Sequence, residues 1–160
     1  MPIYMKYDNL AVKGDVTEES HKDWVELNSF QWGVGRGISS PTGASADRES
    51  SAPSVSEITC TKDQDKATVK LLDAALQGEG KDVVIEFTKT DKGNLETYIT
   101  FTLSNTMISG YSMSSGGDRP SESLSLNFTK IEMKVVPLGA AGGTESPETV
   151  GYDIATAKVT

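Results

Sequence analysis

The sequence predicts a mainly β fold, a strongly curved β-barrel with one short α-helix. Three observations predict it: apolar and polar residues alternate along most of the chain, the alternation changes parity within two segments, and one segment has helical spacing. A length of 160 residues lies within the range of one compact domain. We therefore expect a single domain over residues 1–160.

The clearest strand lies in residues 95–104, where Ile99, Phe101 and Leu103 alternate with threonine and serine. Such alternation places the two sets of side chains on opposite faces of a sheet. The preceding run KDVVIEFTKT has strand character too, and the short segment DKGN joins it to this strand. Because polar residues with a glycine favour tight turns, the two runs are predicted to form a β-hairpin.

The alternation changes parity in two further strand segments. In WVELNSFQWGV the apolar positions are Val25 and Leu27 and then Phe30 and Trp32, and a second change occurs near residues 129 and 130. A β-bulge would absorb the extra residue and bend each strand. Two bent strands indicate a strongly curved sheet and therefore a barrel.

The helix is predicted over residues 66–77. Val69, Leu72 and Leu76 are spaced i, i+3 and i+7, and Gly78 is suited to end the helix. Segments rich in Gly, Pro and Ser predict an extended loop at 38–53, a turn at 114–121 and a loop at 138–148 before the closing strand. A loop as long as 38–53 is uncommon in a compact domain unless it is functional or disordered.

The composition argues against several classes of partner. The net charge of −8 would repel a nucleic-acid backbone or an anionic membrane. The single cysteine, Cys60, excludes an intramolecular disulfide and a four-cysteine zinc site. The N-terminus lacks a basic leader before an apolar run, and no segment approaches the roughly 18 apolar residues of a membrane helix. We expect cytoplasmic synthesis without a cleaved signal peptide, and no membrane insertion.

Residues for catalysis or cofactor binding are scarce. His21, the only histidine, lies in the polar run TEESHKDW without the signature of a nucleophile elbow, so we expect no enzyme. A small hydrolase that uses His21 stays open as an alternative. Ala75 and Asp82 stand where a phosphate-binding loop needs Gly and Ser or Thr, and Ile38 stands where a dinucleotide motif needs its last glycine. We expect neither a cofactor nor a metal.

Several strings resemble the haemolysin-coregulated protein (Hcp) family, the tube subunits of bacterial type VI secretion systems. The first is Ile3–Gly37, with Lys13 and Gly14, then His21, then a strand that closes on Phe30 to Gly33. The strings ITCTKDQDKATVKLLDAALQGE and GGDRPSESLSLNFTKIEMKVVP, and the closing GYDI, follow in the family's order. Together they cover nearly the whole chain, while the segment 38–53 is richer in charge than in some members.

The resemblance implies a β-barrel of two packed antiparallel sheets with the helix on one side. It further implies six-membered rings that stack into a hollow tube, which a contractile sheath drives, with a spike at its tip, into a neighbouring cell. It also implies small effector proteins carried and protected in the lumen, and therefore secretion to the extracellular space or a target cell. A head-to-tail interface that closes into rings suits this role. Another phage-tail-like or fibre assembly subunit is the alternative within the same class.

Strand parity suggests which residues would serve such a ring. Ser29 and Gln31 are the candidates for the lumen and for effector contact, because Phe30 and Trp32 take the opposite, inward parity. The candidates for ring or stacking contacts are the charged residues of two loops, namely Asp47, Arg48, Glu49, Asp118 and Arg119.

Overall fold

The computed structural model describes residues 1–40, 42–43, 49–137 and 146–160. The strands, in chain order, are β1 Ile3–Tyr7, β2 Val25–Leu27, β3 Ser29–Gln31, β4 Val34–Gly35, β5 Ile38–Ser39, β6 Glu49–Ser50, β7 Ser54–Val55, β8 Ile58–Asp63, β9 Lys81–Asp91, β10 Asn94–Ser114, β11 Ser121–Asn127, β12 Lys130–Val135, β13 Glu148–Asp153 and β14 Lys158–Val159. The α-helix α1 covers Thr68–Gln77. Short 3₁₀ turns lie at Asp8–Leu10 and Glu19–His21.

The strands form two packed antiparallel sheets that share β10. Sheet A has the order β2–β1–β9–β10–β12–β13–β14, and sheet B has the order β10–β11–β8–β3. Residues 99–103 of β10 pair with both β9 and β12 in sheet A, whereas residues 107–114 pair with β11 in sheet B. The mainly β fold with packed antiparallel sheets and one helix is confirmed, as is the β9–β10 hairpin.

The two parity changes have a different cause from the one predicted. The chain passes from sheet A to sheet B between β2 and β3, and from sheet B to sheet A between β11 and β12. Because the sheets face each other, the inward direction reverses at each crossing, and the apolar parity reverses with it. The prediction of bulges at these two places is wrong; the irregular registers lie in β10, including one between Ile108 and Gly110.

The core lies between the sheets. Its fully buried side chains include Met5 and Val25 from sheet A and Ile58, Leu124 and Leu126 from sheet B. Side chains of this kind each contribute roughly 1.5–3 kcal/mol to folding when they leave water. This core holds the outer faces of the two sheets in fixed positions.

Helix α1 confirms the predicted helix, with ends within two residues of those expected. Gly78 ends it in the left-handed conformation, with φ of 67°, where its N–H donates to the Ala74 carbonyl. The core, however, receives Ala67 and Leu71 from this segment. The residues that identified the helix, Val69 and Leu76, are 74% and 79% exposed.

The predicted loop at 38–53 contains regular structure. β4 pairs with β7 and β5 pairs with β6, so the described part of residues 33–56 forms a long hairpin, which we call the arm. A hydrogen bond of 2.8 Å from Ser51 N to Gly37 O lies between the two ladders, and one of 2.9 Å from Ser56 N to Gly33 O extends the β4–β7 ladder at the base of the arm. An isolated two-stranded hairpin is only marginally stable in water, so the arm is suited to pack against a partner.

Candidate functional site

The outer face of sheet B carries a continuous surface of hydroxyl side chains, which we call the hydroxyl face. Cross-strand pairing builds it in rows: Ser29 pairs with Thr61, Thr61 with Ser123, and Ser123 with Ser112. A neighbouring row joins Gln31, Thr59, Ser125 and Gly110. The hydroxyls of Ser29 and Thr61 lie 2.5 Å apart, so neighbouring strands are linked by their side chains as well as by their backbones.

The hydroxyl face and the outer face of sheet A differ in their charged residues. Neither row of the hydroxyl face contains an ionisable residue, although the chain carries a net charge of −8. On sheet A the outward positions of β12 alone are Lys130, Glu132 and Lys134. These two rows therefore offer hydrogen bonds without charge, and carboxylates stand only beyond them, at Glu57 and Asp63 near the two ends of β8. The face of sheet A offers charges of both signs.

The structure confirms the outward parity of Ser29 and Gln31, and both are exposed. Phe30 turns inward and packs edge-on against Phe87, with ring centroids 5.0 Å apart. Sequence reasoning missed the other members of the face on β8 and β11. The signal was present, because ITCTKD and SESLSLN alternate hydroxyl residues with inward ones in the same way.

The turn at residues 115–120 lies at one end of the hydroxyl face, where Ser114 pairs with Ser121. Arg119 donates from Nε to the carbonyl of Gln64 at 2.7 Å, and its Nη2 lies 3.9 Å from an Asp15 carboxylate oxygen. The carbonyl of Asp118 accepts a hydrogen bond from the Ser115 hydroxyl. The structure thus fixes Arg119 to the segment before α1, with its side chain still more than half exposed.

The other three residues predicted for ring or stacking contacts are not shown near that turn. Asp47 and Arg48 lie outside the described residues, and Glu49 pairs with Ser39 in the arm. The predicted set therefore separates into lumen candidates on the hydroxyl face, two residues at its end, and Glu49 on the arm. Their roles in ring or stacking contacts stay predictions.

His21 is 4% exposed, and each of its ring nitrogens faces a carboxylate. Nδ1 lies 2.6 Å from Glu18 Oε2, and Nε2 lies 3.4 Å from Glu86 Oε2. Partial burial opposes the ionisation of Glu18, but hydrogen bonds from Ser20 and His21 hold the pKa of Glu18 below its usual value. A catalytic base needs one nitrogen directed at a nucleophile or at water. This arrangement instead suits a histidine that fastens residues 18–24 to sheet A.

Cys60 is fully buried on the inner side of β8. Burial raises the pKa of its thiol to about 12, against the weaker opposite effect of the Lys62 charge. Among the described residues, no three or more His, Cys, Asp or Glu side chains are placed to hold a metal ion. Within the same part of the chain, no helix has the length and apolar character needed to cross a membrane.

Known proteins share this fold. The family model described as "Type VI secretion system effector, Hcp" matches residues 4–135. A solved structure of a type six secretion system protein is 27% identical, with a TM-score of 0.88, and the match covers 99% of each chain. No curated protein matches the chain.

Two further solved structures show the same fold at lower identity. Hcp1 from Salmonella typhimurium is 20% identical, with a TM-score of 0.79 and coverage of 99% of this chain and 98% of its own. A type VI secretion system effector from Yersinia pestis is 22% identical, with a TM-score of 0.74 and coverage of 94% and 98%.

Proposed function

Because the chain belongs to the Hcp family of type VI secretion proteins, we propose that it forms six-membered rings that stack into a hollow tube, with the hydroxyl face toward the lumen. The family is one of structural, secreted proteins, and its members leave the cell through the type VI apparatus. The ring, the tube and the direction of the hydroxyl face are the steps that we add.

The observation that carries the proposal is the contrast between the two outer faces. The inner surface of a tube is not covered by neighbouring subunits, and cargo must pass along it. The two uncharged rows of short polar side chains in the middle of the hydroxyl face can hydrogen-bond many proteins weakly, without a charge at the point of contact. The charged face of sheet A suits the outside of the tube, where a sheath protein would make specific contacts.

In this arrangement Ser29 and Gln31 would contact small effector proteins carried inside the ring. Glu49, on the arm, and Asp118 and Arg119, at the end of the hydroxyl face, would contact neighbouring copies or the next ring. A spike protein, a contractile sheath and the effectors are the partners that this role requires. We also propose synthesis in the bacterial cytoplasm without a cleaved signal peptide.

The first test is the mass in solution, measured by size-exclusion chromatography with light scattering over a range of protein concentrations. Six copies of the 17.1 kDa chain would give a mass of about 103 kDa. A species near 17 kDa at every concentration would contradict the ring. It would favour another phage-tail-like or fibre subunit that assembles only with a partner.

The second test locates the hydroxyl face within the ring. Gln31→Cys and Thr102→Cys place one thiol on sheet B and one on the outer face of sheet A, both at exposed positions. A gold-labelled maleimide on each variant, viewed by negative-stain averaging, should show density inside the ring for the first and outside it for the second. Density outside the ring for Gln31→Cys would contradict the assignment of the hydroxyl face to the lumen, but it would not contradict the ring itself.

A further inference from the structure

An apolar cleft opens where sheet A extends past the strands of sheet B. One wall consists of Met133, Val150 and Val159, whose strands pair in register, and the other consists of Trp32, Val34 and Val55 at the base of the arm. The cavity measures about 240 Å³, and nearly all of its lining is apolar. Val150 and Val159 are 51% and 73% exposed. Within the part of the chain that the structure describes, the inner surface of β13 and β14 thus has only partial cover.

Helix α1 presents an apolar ridge on a different part of the chain. Val69, Leu72 and Leu76 form one line at spacings of three and four residues, the spacing with which helices pack knobs into holes. The line is about 10 Å long at the helical rise of about 1.5 Å per residue. The opposite side of α1 is in the core through Leu71. The ridge is therefore a convex surface that no other described residue covers.

We propose that the ridge of one copy packs into the cleft of the next copy around the ring, an inference that rests on the proposed function. A ring of identical subunits needs a head-to-tail contact between two different patches of the same chain. The ridge and the cleft share no residue, both are apolar, and one is convex where the other is concave. Each copy would then use both patches once, and a closed ring would leave neither exposed.

The size and rim of the cleft suit this occupant. An engineered apolar cavity of about 150 Å³ already binds benzene, so 240 Å³ accepts more than one aliphatic side chain. Exposed charges of both signs border the two patches, with Lys70 and Asp73 beside the ridge and Glu148 and Lys158 beside the cleft. An apolar centre with a mixed polar rim is the usual anatomy of a specific interface.

The arm offers the competing occupant, because Ile38 on β5 is also exposed. Among the exposed large apolar residues of the described chain, however, only α1 places three in one line on one element. A ridge of this kind delivers several side chains in fixed positions, whereas Ile38 delivers one. We therefore assign the cleft to the helix, and the experiments below distinguish the two.

Paired charge substitutions test the contact. Leu76→Asp and Val150→Asp should each raise the protein concentration needed for ring assembly by about tenfold or more, because a buried carboxylate would face an apolar wall. Gln77→Asp and Thr149→Asp add the same charge to exposed positions beside them and should assemble as the wild type does. Melting followed by circular dichroism should show that all four variants fold, since each position is exposed.

Assembly of both Leu76→Asp and Val150→Asp at the wild-type concentration would overturn the inference and leave the proposed ring standing. A wild type that stays monomeric at every concentration would overturn both. Weaker assembly of the control variants to the same extent would count against the inference as well, because it would show a general response to added charge.

Disulfide trapping identifies which segment fills the cleft. Leu76→Cys combined with Val150→Cys should give a ladder of covalent species ending at six chains under oxidation, and neither single variant should. Cys60 does not interfere, because it is buried and its thiol pKa is about 12. A ladder from Ile38→Cys with Val150→Cys, without one from the helix pair, would assign the cleft to the arm. Dimers from Leu76→Cys alone would indicate a helix-to-helix contact, and either result overturns the inference.

Discussion

Lys62 on β8 and Glu122 on β11 are directly paired across sheet B, and their side chains form an ion pair that is fully buried. Lys62 Nζ also lies 3.0 Å from Asp65 Oδ1, and Glu122 accepts a hydrogen bond of 2.6 Å from the Tyr111 hydroxyl. The network joins β8, β10 and β11 to the segment that leads into α1. It therefore holds the helix against the back of the hydroxyl face.

Removing the cation of this network should cost much more stability than a surface change does. Lys62→Met would leave Glu122 buried without its cation, and loss of one partner of such a pair costs about 3–5 kcal/mol. Urea denaturation of the variant and the wild type measures this difference. In the double variant Lys62→Met, Glu122→Met the loss should be smaller than the sum of the two single losses. A loss below about 1 kcal/mol for Lys62→Met would contradict the structural role of the pair.

The same pair predicts how stability changes with pH. Burial opposes the ionisation of Glu122, but hydrogen bonds from Lys62 and Tyr111 hold the pKa of this carboxyl below its usual value of 4.5. A group whose pKa is lowered by folding stabilises the protein fully above its unfolded pKa, and that contribution is lost as the pH falls through the folded pKa. The free energy of unfolding should therefore fall as the pH drops from about 5 to about 3.

Glu122→Gln is the control for this pH dependence, because it keeps the shape of the side chain and removes its titration. The fall in the free energy of unfolding between the two pH values should be shallower in the variant. It should not vanish, because folding also lowers the pKa of Glu18. An identical slope in both proteins would rule out Glu122 as a source of the acid sensitivity.

Periodicity predicted much of this fold because it reports which side of a strand or helix meets the core. It identified the hairpin of β9 and β10, the helix and the outward direction of Ser29 and Gln31. It did not predict the buried pair of Lys62 and Glu122, which share the inward side of their strands with Cys60 and Leu124. A single strand does not show that two inward charges meet, since their pairing depends on the register between β8 and β11.

Other features of the fold depend on contacts between segments that are distant in the sequence. The crossing from sheet A to sheet B explains the parity changes, but a bulge leaves the same trace in the sequence. The arm has few apolar residues, because its ladders cover no core, and it therefore has the composition of a loop. Val69 and Leu76 satisfy the pattern of a buried helix face although they are exposed. A helix face that packs against a neighbouring copy, as proposed for the ridge, needs the same apolar spacing as one that packs against its own core.

Gly14 is predicted to tolerate no side chain. A Cβ at this position would lie 2.8 Å from Val25 Cα and 2.9 Å from the carbonyl carbon of Trp24, and both of these are backbone atoms. The close approach also sets the hydrogen bond of 2.8 Å from Gly14 N to Asp23 O. Gly14→Ala should lower the free energy of unfolding by about 1–3 kcal/mol, measured by urea denaturation, because the strand must shift.

Gly35→Ala provides the matched control for this substitution. A Cβ there meets no atom within 4 Å, so the change should stay within about 0.5 kcal/mol of the wild type. Equal losses in the two variants would mean that the contact with β2 does not decide the result, because restricting the unfolded chain alone favours the folded state.

His21→Ala is predicted to weaken the fold without removing an activity. Its imidazole lies between Glu18 and Glu86 and packs against Tyr4 and Trp24, with ring centroids 4.7 and 4.8 Å away. Losing these partners in a buried site should lower the free energy of unfolding by about 1–3 kcal/mol, whereas Lys22→Ala at the exposed neighbour should change it little. In a screen of ester, amide and phosphoester substrates, wild type and His21→Ala should hydrolyse each at the same background rate. The opposite result would be hydrolysis of a substrate by the wild type and by Lys22→Ala but not by His21→Ala. It would establish His21 as a catalytic base and the chain as a hydrolase.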